Sequence, residues 1–306
     1  MGCIQAQDAF VTWANAIIRN LRSAIAIVSC LAIGLASCTT YNGVAEFELY
    51  RRAFDQSYQT GNAILDILAG QERKIFLNAH PPQTSTFNPD NASYYVDTVD
   101  PPGTAAFRRA LESVKTYNDI LAGLASGEVV EALSGKLLGL NETLNSAAAE
   151  TKALLNSSQR ANIVQATGSI GQLDARIRAA SEVAKLALKY KSREDFRRFV
   201  REYNPTVIEI LKSLRDGTRI IFPSLTRSAL NSIAGVNHQK VSAYRKLLAD
   251  WVISLDATMA ALKRVSVAIE ANASLDSTIS AFSKSAIELQ IASEAARKHL
   301  AEVAAN

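Results

Sequence analysis

The run Val241-Ser242-Ala243-Tyr244-Arg245-Lys246-Leu247-Leu248-Ala249-Asp250-Trp251-Val252-Ile253-Ser254-Leu255, continued to Ile269, decides how the rest of the chain is read. Val241, Tyr244, Leu248, Trp251, Leu255, Thr258, Leu262, Val265 and Ile269 follow each other in alternating steps of three and four. On a helix with 3.6 residues per turn that spacing lines one face, whereas a half-buried strand needs strict alternation. A heptad seam sustained over this length predicts a long helix packed side by side with others. Beyond a break at Asn272 to Ser274, the same spacing returns in Leu275, Ile279, Phe282, Ala286, Leu289, Ser293, Ala296, Leu300 and Val303.

Working back toward the N-terminus, the pattern recurs. Ile163, Ala166, Ile170, Leu173, Ile177, Ala180 and Ala184 form one stripe, with Gly168 and Gly171 one turn apart for close approach of a neighbour. Val130, Leu133, Leu137, Leu140, Leu144, Ala147, Thr151 and Leu154 form another, and Ser157-Ser158 marks a turn or a continuation. Phe107, Leu111, Val114, Asn118 and Leu121 mark a helix that Thr104 is placed to cap and Gly127 closes. From Val44 to about Leu77 the inward positions are Phe47, Tyr50, Phe54, Tyr58, Gly61, Ile64, Leu65, Leu68 and Ile75, with Gly61 and Gly70 as local weak points. Ser192-Arg193-Glu194-Asp195 reads as a capped helix start. Pro205 and Pro223 each read either as a new first-turn position or as a kink.

The fold class that follows is all-α: an elongated antiparallel bundle of about six long helices, about 25–35 residues each, joined by short links. One connection is not short. His80-Pro81-Pro82 stops the first helix and Pro101-Pro102-Gly103 precedes the next, leaving a long proline-bounded loop over residues 78–103. It holds Phe87, Asp90, Tyr94, Tyr95, Asp97 and Asp100, and Ser93 to Val99 reads as a short strand or an extended lid. Tyr94, Tyr95, Asp97 and Asp100 are the candidate contact residues, because tyrosines offer apolar area with a polar tip and carboxylates beside them accept hydrogen bonds. The alternative is a passive cover over the end of the bundle.

Composition agrees with helices. Hydrophobic residues make up 48% of the 306 and aromatics only 7%, a balance that favours long helices over a sheet. A formal charge of +4 gives no reason to expect a nucleic-acid partner.

The apolar run near the N-terminus ends in Leu35-Ala36-Ser37-Cys38. Arg19 and Arg22 precede Ala24 to Leu35, which matches a positive n-region followed by an h-region of signal-peptide length. The stretch between Arg22 and Cys38 is shorter than the ~20 residues a spanning helix needs. Leu, two small residues and Cys resemble the lipobox of bacterial lipoproteins. The resemblance is confined to residues 1–38. It implies removal of 1–37, a lipid on Cys38, a short tether over 38–43, and a single helical domain over 44–306. Thr39, after the cysteine, resembles the outer-membrane-sorted kind rather than the Asp-marked inner-membrane kind. Two other readings remain beside it, an ordinary signal peptide cleaved after Ala36 and an uncleaved anchor. Met1 to Asn20 is long for an n-region and contains Asp8, which leaves a later translation start near Val11 as an alternative. Met1-Gly2-Cys3 lacks the Ser or Thr that N-myristoylation requires, since position 6 is Ala6. With Cys3 and Cys30 removed and Cys38 lipidated, no disulfide is expected. Thr39 to Gly43 span at most ~17 Å at ~3.4 Å each, so the folded body is expected to sit on its membrane.

Enzymatic signatures are lacking. The positions three before His80, His238 and His299 are Leu77, Gly235 and Ala296, so no Glu-x-x-His pair exists for a metal in a bundle core. His-Glu-x-x-His, the Gly-x-Ser-x-Gly elbow and Ser-x-x-Lys are also missing, and Gly168-x-x-Gly171 is not a phosphate loop. No cofactor, no metal and no catalytic residue are expected. Arg193, Arg197 and Arg201 share one helix face, so Arg197 and Arg201 are candidates for an anionic contact. Glu194, Asp195 and Glu202 interleave with them as in a solvated mixed-charge face.

The expected function is that of a lipid-anchored, periplasm-facing protein of the bacterial cell envelope, non-enzymatic and acting through an envelope protein partner. In a Gram-negative host the outer membrane is the expected site. The alternative is a binding module that takes a small molecule or an envelope polymer at the bundle end, under loop 78–103. A deep apolar pocket there separates the second from the first.

Overall fold

The computed structural model describes residues 42–80, 87–126, 128–156, 175–182, 184, 193–231, 235–270 and 283–305. Cys38, Gly168 and Gly171, the stripe from Ile163 to Leu173, Ser192, and Leu275, Ile279 and Phe282 lie outside them.

The described residues are helical apart from short connections and contain no strand. Helix α1 spans Asn42–Ala79. A 3-10 turn at Pro89–Asn91 and a one-turn helix α2 at Ala92–Tyr95 follow. Then come α3 (Pro102–Ser126), α4 (Val130–Asn156), α5 (Arg193–Leu230), α6 (His238–Glu270) and α7 (Ser283–Ala305). Residues 175–182 add a further helical stretch. Helices α1 and α5, at 38 residues each, exceed the expected length. Each is ~57 Å long at 1.5 Å per residue. Among the described residues no helix is long and apolar enough to cross a membrane.

Contacts across four of the helix pairs run in opposite order, as antiparallel neighbours require. Along α1 and α3, Tyr50 meets Asn118, Gly61 meets Leu111 and Glu72 meets Thr104. Along α3 and α5, Phe107 meets Gly217 and Tyr117 meets Asn204. Along α5 and α6, Asn204 meets Leu262 and Arg215 meets Asp256. Along α6 and α7, Asp250 meets His299 and Arg264 meets Ser285. Helix α1 touches α3, α5, α6 and α7 and so forms the middle of the bundle. The stretch 175–182 is tied to α5 by Arg176, which donates to the Glu209 carbonyl, and to α4 by Ser181, which donates to Asn145.

The seam that starts at Val241 is buried at every position whose side chain is described: Val241, Tyr244, Leu248, Trp251, Leu255, Thr258 and Leu262. The α3 stripe is likewise buried throughout, and so is the α4 stripe from Leu133 to Ala147. Each fully buried Leu, Ile or Phe adds about 1.5–3 kcal/mol of transfer free energy, so the seam accounts for much of the hold of α6 on its neighbours. In α1 the inward residue near the C-terminal end is Phe76, and Ile75 is only half-buried. Gly61 is no mere weak point. It is buried, and a Cβ there would lie 3.0 Å from Trp251 Nε1 and 2.8 Å from Leu111 Cδ2.

The middle of the core is polar in one layer. The Tyr50 hydroxyl donates to Asn118 Oδ1 at 3.1 Å and the Tyr117 hydroxyl to Asn204 Oδ1 at 3.1 Å. Asn204 Nδ2 donates to the Leu262 carbonyl and to Ser266 Oγ, both at 2.6 Å. Burial pushes the Tyr50, Tyr117 and Tyr203 hydroxyls well above the ordinary tyrosine range, so all three stay protonated. These bonds tie α1 to α3, α3 to α5 and α5 to α6. A one-turn slip would leave several buried polar groups unpaired, each at about 1–3 kcal/mol.

Several boundaries differ from the sequence reading. Helix α1 begins at Asn42, so it takes Asn42 and Gly43 from the expected tether 38–43. The loop 78–103 shrinks at both ends, because α1 runs to Ala79 and α3 begins at Pro102. The expected strand or lid from Ser93 to Val99 is helical as far as Tyr95 and bends after it. Pro205 and Pro223 both lie inside α5. Each stands on the solvent face, as do Arg201 and Arg219 four residues earlier, whose carbonyls lose their helical partner to the missing proline N–H. Water can satisfy those carbonyls, which makes two interior prolines tolerable.

Candidate functional site

Three polar clamps surround the segment from Phe87 to Pro101: the first, made by Glu72, joins α1 to the start of α3 just beyond it, and the other two hold the segment itself. Helix α3 starts with the Pro101 carbonyl accepting from Ala105 N–H at 2.8 Å. Pro101 is therefore the residue in the capping position, and it has no side-chain oxygen with which to cap. Pro102 suits the first turn because it lacks an N–H that would otherwise be orphaned. The next two donors, the N–H groups of Gly103 and Thr104, are taken by the Glu72 carboxylate at 3.0 and 2.9 Å, and the Thr104 hydroxyl adds a third bond at 2.8 Å. Glu72 thus caps a helix to which it does not belong. Burial raises its pKa above the ordinary carboxylate value, the bonds from Thr104 and Gly103 lower it, and nearby Asp100 raises it further.

Arg108 makes the second clamp. From α3 it holds Asp100 with Nε at 2.5 Å, Asp66 with Nη2 at 2.7 Å and Asn62 with Nη1 at 3.1 Å. Burial works against its charge, but the bonds to Asp100 and Asp66 outweigh burial and hold its pKa above the ordinary arginine value. Arg73 makes the third, donating to the Val99 carbonyl at 2.6 Å and lying 3.4 Å from Asp97.

Inside these clamps is an aromatic stack. Phe76 lies against His80 at 4.4 Å on one side and against Tyr94 at 4.1 Å on the other, both nearly parallel. Tyr95 meets the edge of Phe76 at 5.8 Å, and Phe87 lies 6.0 Å from Tyr95. Burial and the adjacent Glu72 carboxylate push the Tyr94 hydroxyl above the ordinary tyrosine range.

The four candidate contact residues therefore divide. Tyr94 is 4% exposed and fills the space beneath the segment. Asp100 is committed to Arg108. Tyr95, at 49%, and Asp97, whose side chain is 97% exposed, face outward. Leu77, Phe87, Val96 and Val99 join them as exposed apolar side chains on the same end. Of the two arginines considered for an anionic contact, Arg201 is exposed on α5, and the side chain of Arg197 lies outside the described residues.

Glu72, Arg73, Phe76 and Arg108 were not singled out from the sequence. Their signal is three-dimensional, since the acceptor for Gly103 and Thr104 stands some thirty positions away in sequence and local capping rules search only neighbours. Among the described residues no three His, Cys, Asp or Glu side chains converge on a position for a metal ion. The arrangement is suited to holding a surface, with most of its donors and acceptors paired to one another, the buried Arg73 Nε excepted, and with Phe87, Tyr95, Val96 and Val99 exposed. Comparison of the chain with family models, with curated proteins and with solved structures gave no match.

Proposed function

We propose that this chain is a lipid-anchored bacterial envelope protein, attached through Cys38, that works without catalysis as a helical interaction module. Its working surface is the segment from Phe87 to Val99. The observation that carries this reading is the pair of clamps by Arg73 and Arg108 that hold the segment bearing exposed Phe87 and Tyr95. Ordering a segment of this length costs about 1–2 kcal/mol per residue in backbone entropy. A passive connection needs no such fastening, whereas a contact surface gains affinity from being held in its bound shape beforehand.

The Tyr94–Phe76 stack supports a protein contact over a small ligand under the segment, because the rings already occupy the space where that ligand would sit. The test is site-specific photocrosslinking in cells. A photoreactive residue at Tyr95 is expected to give a discrete protein adduct, and one at Arg201 is not. No adduct from Tyr95, Phe87 or Val99 would contradict the reading.

A further inference from the structure

We infer that the partner of this surface is a protein segment that presents apolar side chains beside Lys or Arg. The inference rests on the contact reading above and adds the chemistry of the occupant. The stretch 87–101 holds Asp90, Asp97 and Asp100 and no Lys or Arg. Asp100 is paired with Arg108, which leaves Asp90 and Asp97 as the exposed charges of the tip. Arg73 touches Asp97 at 3.4 Å, yet the Asp97 side chain remains 97% exposed, so that pair screens it little. Lys74 is exposed on the shaft of α1, outside the segment. The exposed apolar side chains of the segment are thus Phe87, Tyr95, Val96 and Val99, with Phe87 6.0 Å from Tyr95, and they share the segment with the Asp90 and Asp97 carboxylates.

Two other occupants fit less well. A membrane presents anionic headgroups, which attract Lys and Arg and repel Asp90 and Asp97. The described chain also enters α1 at Asn42, whereas the tip follows the other end of that helix, ~57 Å away. A tip-to-tip pair of identical chains would bring like carboxylates together across a two-fold axis. A basic, apolar segment meets both halves of the surface: its side chains bury Phe87 and Tyr95, and its cations meet Asp90 and Asp97.

The experiment is selection of a random peptide library on the immobilised protein, followed by affinity measurements on synthesised hits. Hits are expected to combine aromatic or branched apolar residues with Arg or Lys. Their affinity is expected to fall about tenfold with Asp90→Lys plus Asp97→Lys, to fall comparably with Phe87→Ser plus Tyr95→Ser, and to weaken several-fold between ~0.05 and ~0.5 M salt. All four positions are exposed, and circular dichroism is expected to show unchanged helicity in both variants. Hits that need Phe87 and Tyr95 but ignore the charge reversal would overturn the basic partner while leaving the contact reading intact. Hits indifferent to both variants, or no enrichment, would overturn both. Binding to phosphatidylglycerol vesicles that is lost in Phe87→Ser plus Tyr95→Ser would replace the peptide with a membrane. A concentration-dependent dimer lost in the same variant would replace it with a second copy.

Discussion

The indole of Trp251 lies directly on the backbone of Gly61, with Nε1 3.0 Å and Cε2 3.3 Å from where a Cβ on that glycine would stand. The largest fully buried side chain among the described residues is thereby seated on a glycine of the central helix. This contact brings α6 close to α1 and fixes their register at mid-length.

A paired substitution tests that seat. Gly61→Ala gains about 1 kcal/mol of helix propensity but drives a methyl into Trp251 and Leu111, and overpacking costs about 1–3 kcal/mol. Both neighbours are buried and Trp251 cannot turn aside, so a net loss of up to about 2 kcal/mol is expected. At Gly70 a Cβ would meet nothing within 4 Å, so Gly70→Ala is expected to stabilise by about 0.5–1 kcal/mol. Urea melts of the two variants should move in opposite directions; a shift in the same direction would mean that Gly61 is not a seat.

Trp251→Ala removes the partner instead of crowding it. The indole is wholly buried, and truncation is expected to cost about 3–5 kcal/mol. A melting temperature within a degree or two of the wild type would place the seam elsewhere.

The Glu72 cap has a pH signature. Its folded-state pKa is raised, so the folded protein holds this proton more tightly than the unfolded chain does. The associated stability is present in full below the ordinary value of 4.5 and is lost as pH rises through the raised value. Denaturant midpoints measured from pH 4 upward should therefore fall more steeply in the wild type than in Glu72→Gln, which cannot titrate. Glu72→Ala leaves the Gly103 and Thr104 donors uncapped and is expected to cost about 1–2 kcal/mol at pH 4, a cost that shrinks as pH rises through the raised value. Equal slopes for wild type and Glu72→Gln would rule out the titrating cap.

Within the segment, stability and contact should separate residue by residue. Tyr94→Ala empties the place beside Phe76 and is expected to destabilise by about 2–4 kcal/mol. Tyr95→Ser plus Phe87→Ser should change stability by less than about 1 kcal/mol and abolish the Tyr95-centred contact. A melt in which the serine pair falls as far as Tyr94→Ala would make the whole segment a structural cover.

The helices were legible because the apolar spacing that forms them is local: Val241 to Leu262 and Leu133 to Ala147 were read off by period and are buried. What failed depends on partners distant in sequence. Gly61 looked like a weak point because the Trp251 that needs its empty side lies on another helix. Thr104 looked like a cap because local rules could not see Glu72. Pro205 and Pro223 stayed ambiguous because whether a helix survives a proline depends on what lies around the freed carbonyl, and both stand on the solvent face of α5. At the candidate site the sequence marked the right segment but could not divide it: Tyr94 and Tyr95 are adjacent and alike, yet one packs on Phe76 inside the clamp and the other faces out.

Fatty-acid labelling of the full chain in a bacterial host, wild type beside Cys38→Ala, tests the anchoring most directly. The wild type is expected to take up label and run as a processed form. Cys38→Ala is expected to remain unlabelled and to accumulate as the longer precursor. Label retained by Cys38→Ala, or a wild type that is processed without label, would contradict a lipid at Cys38 and with it the envelope-anchored reading.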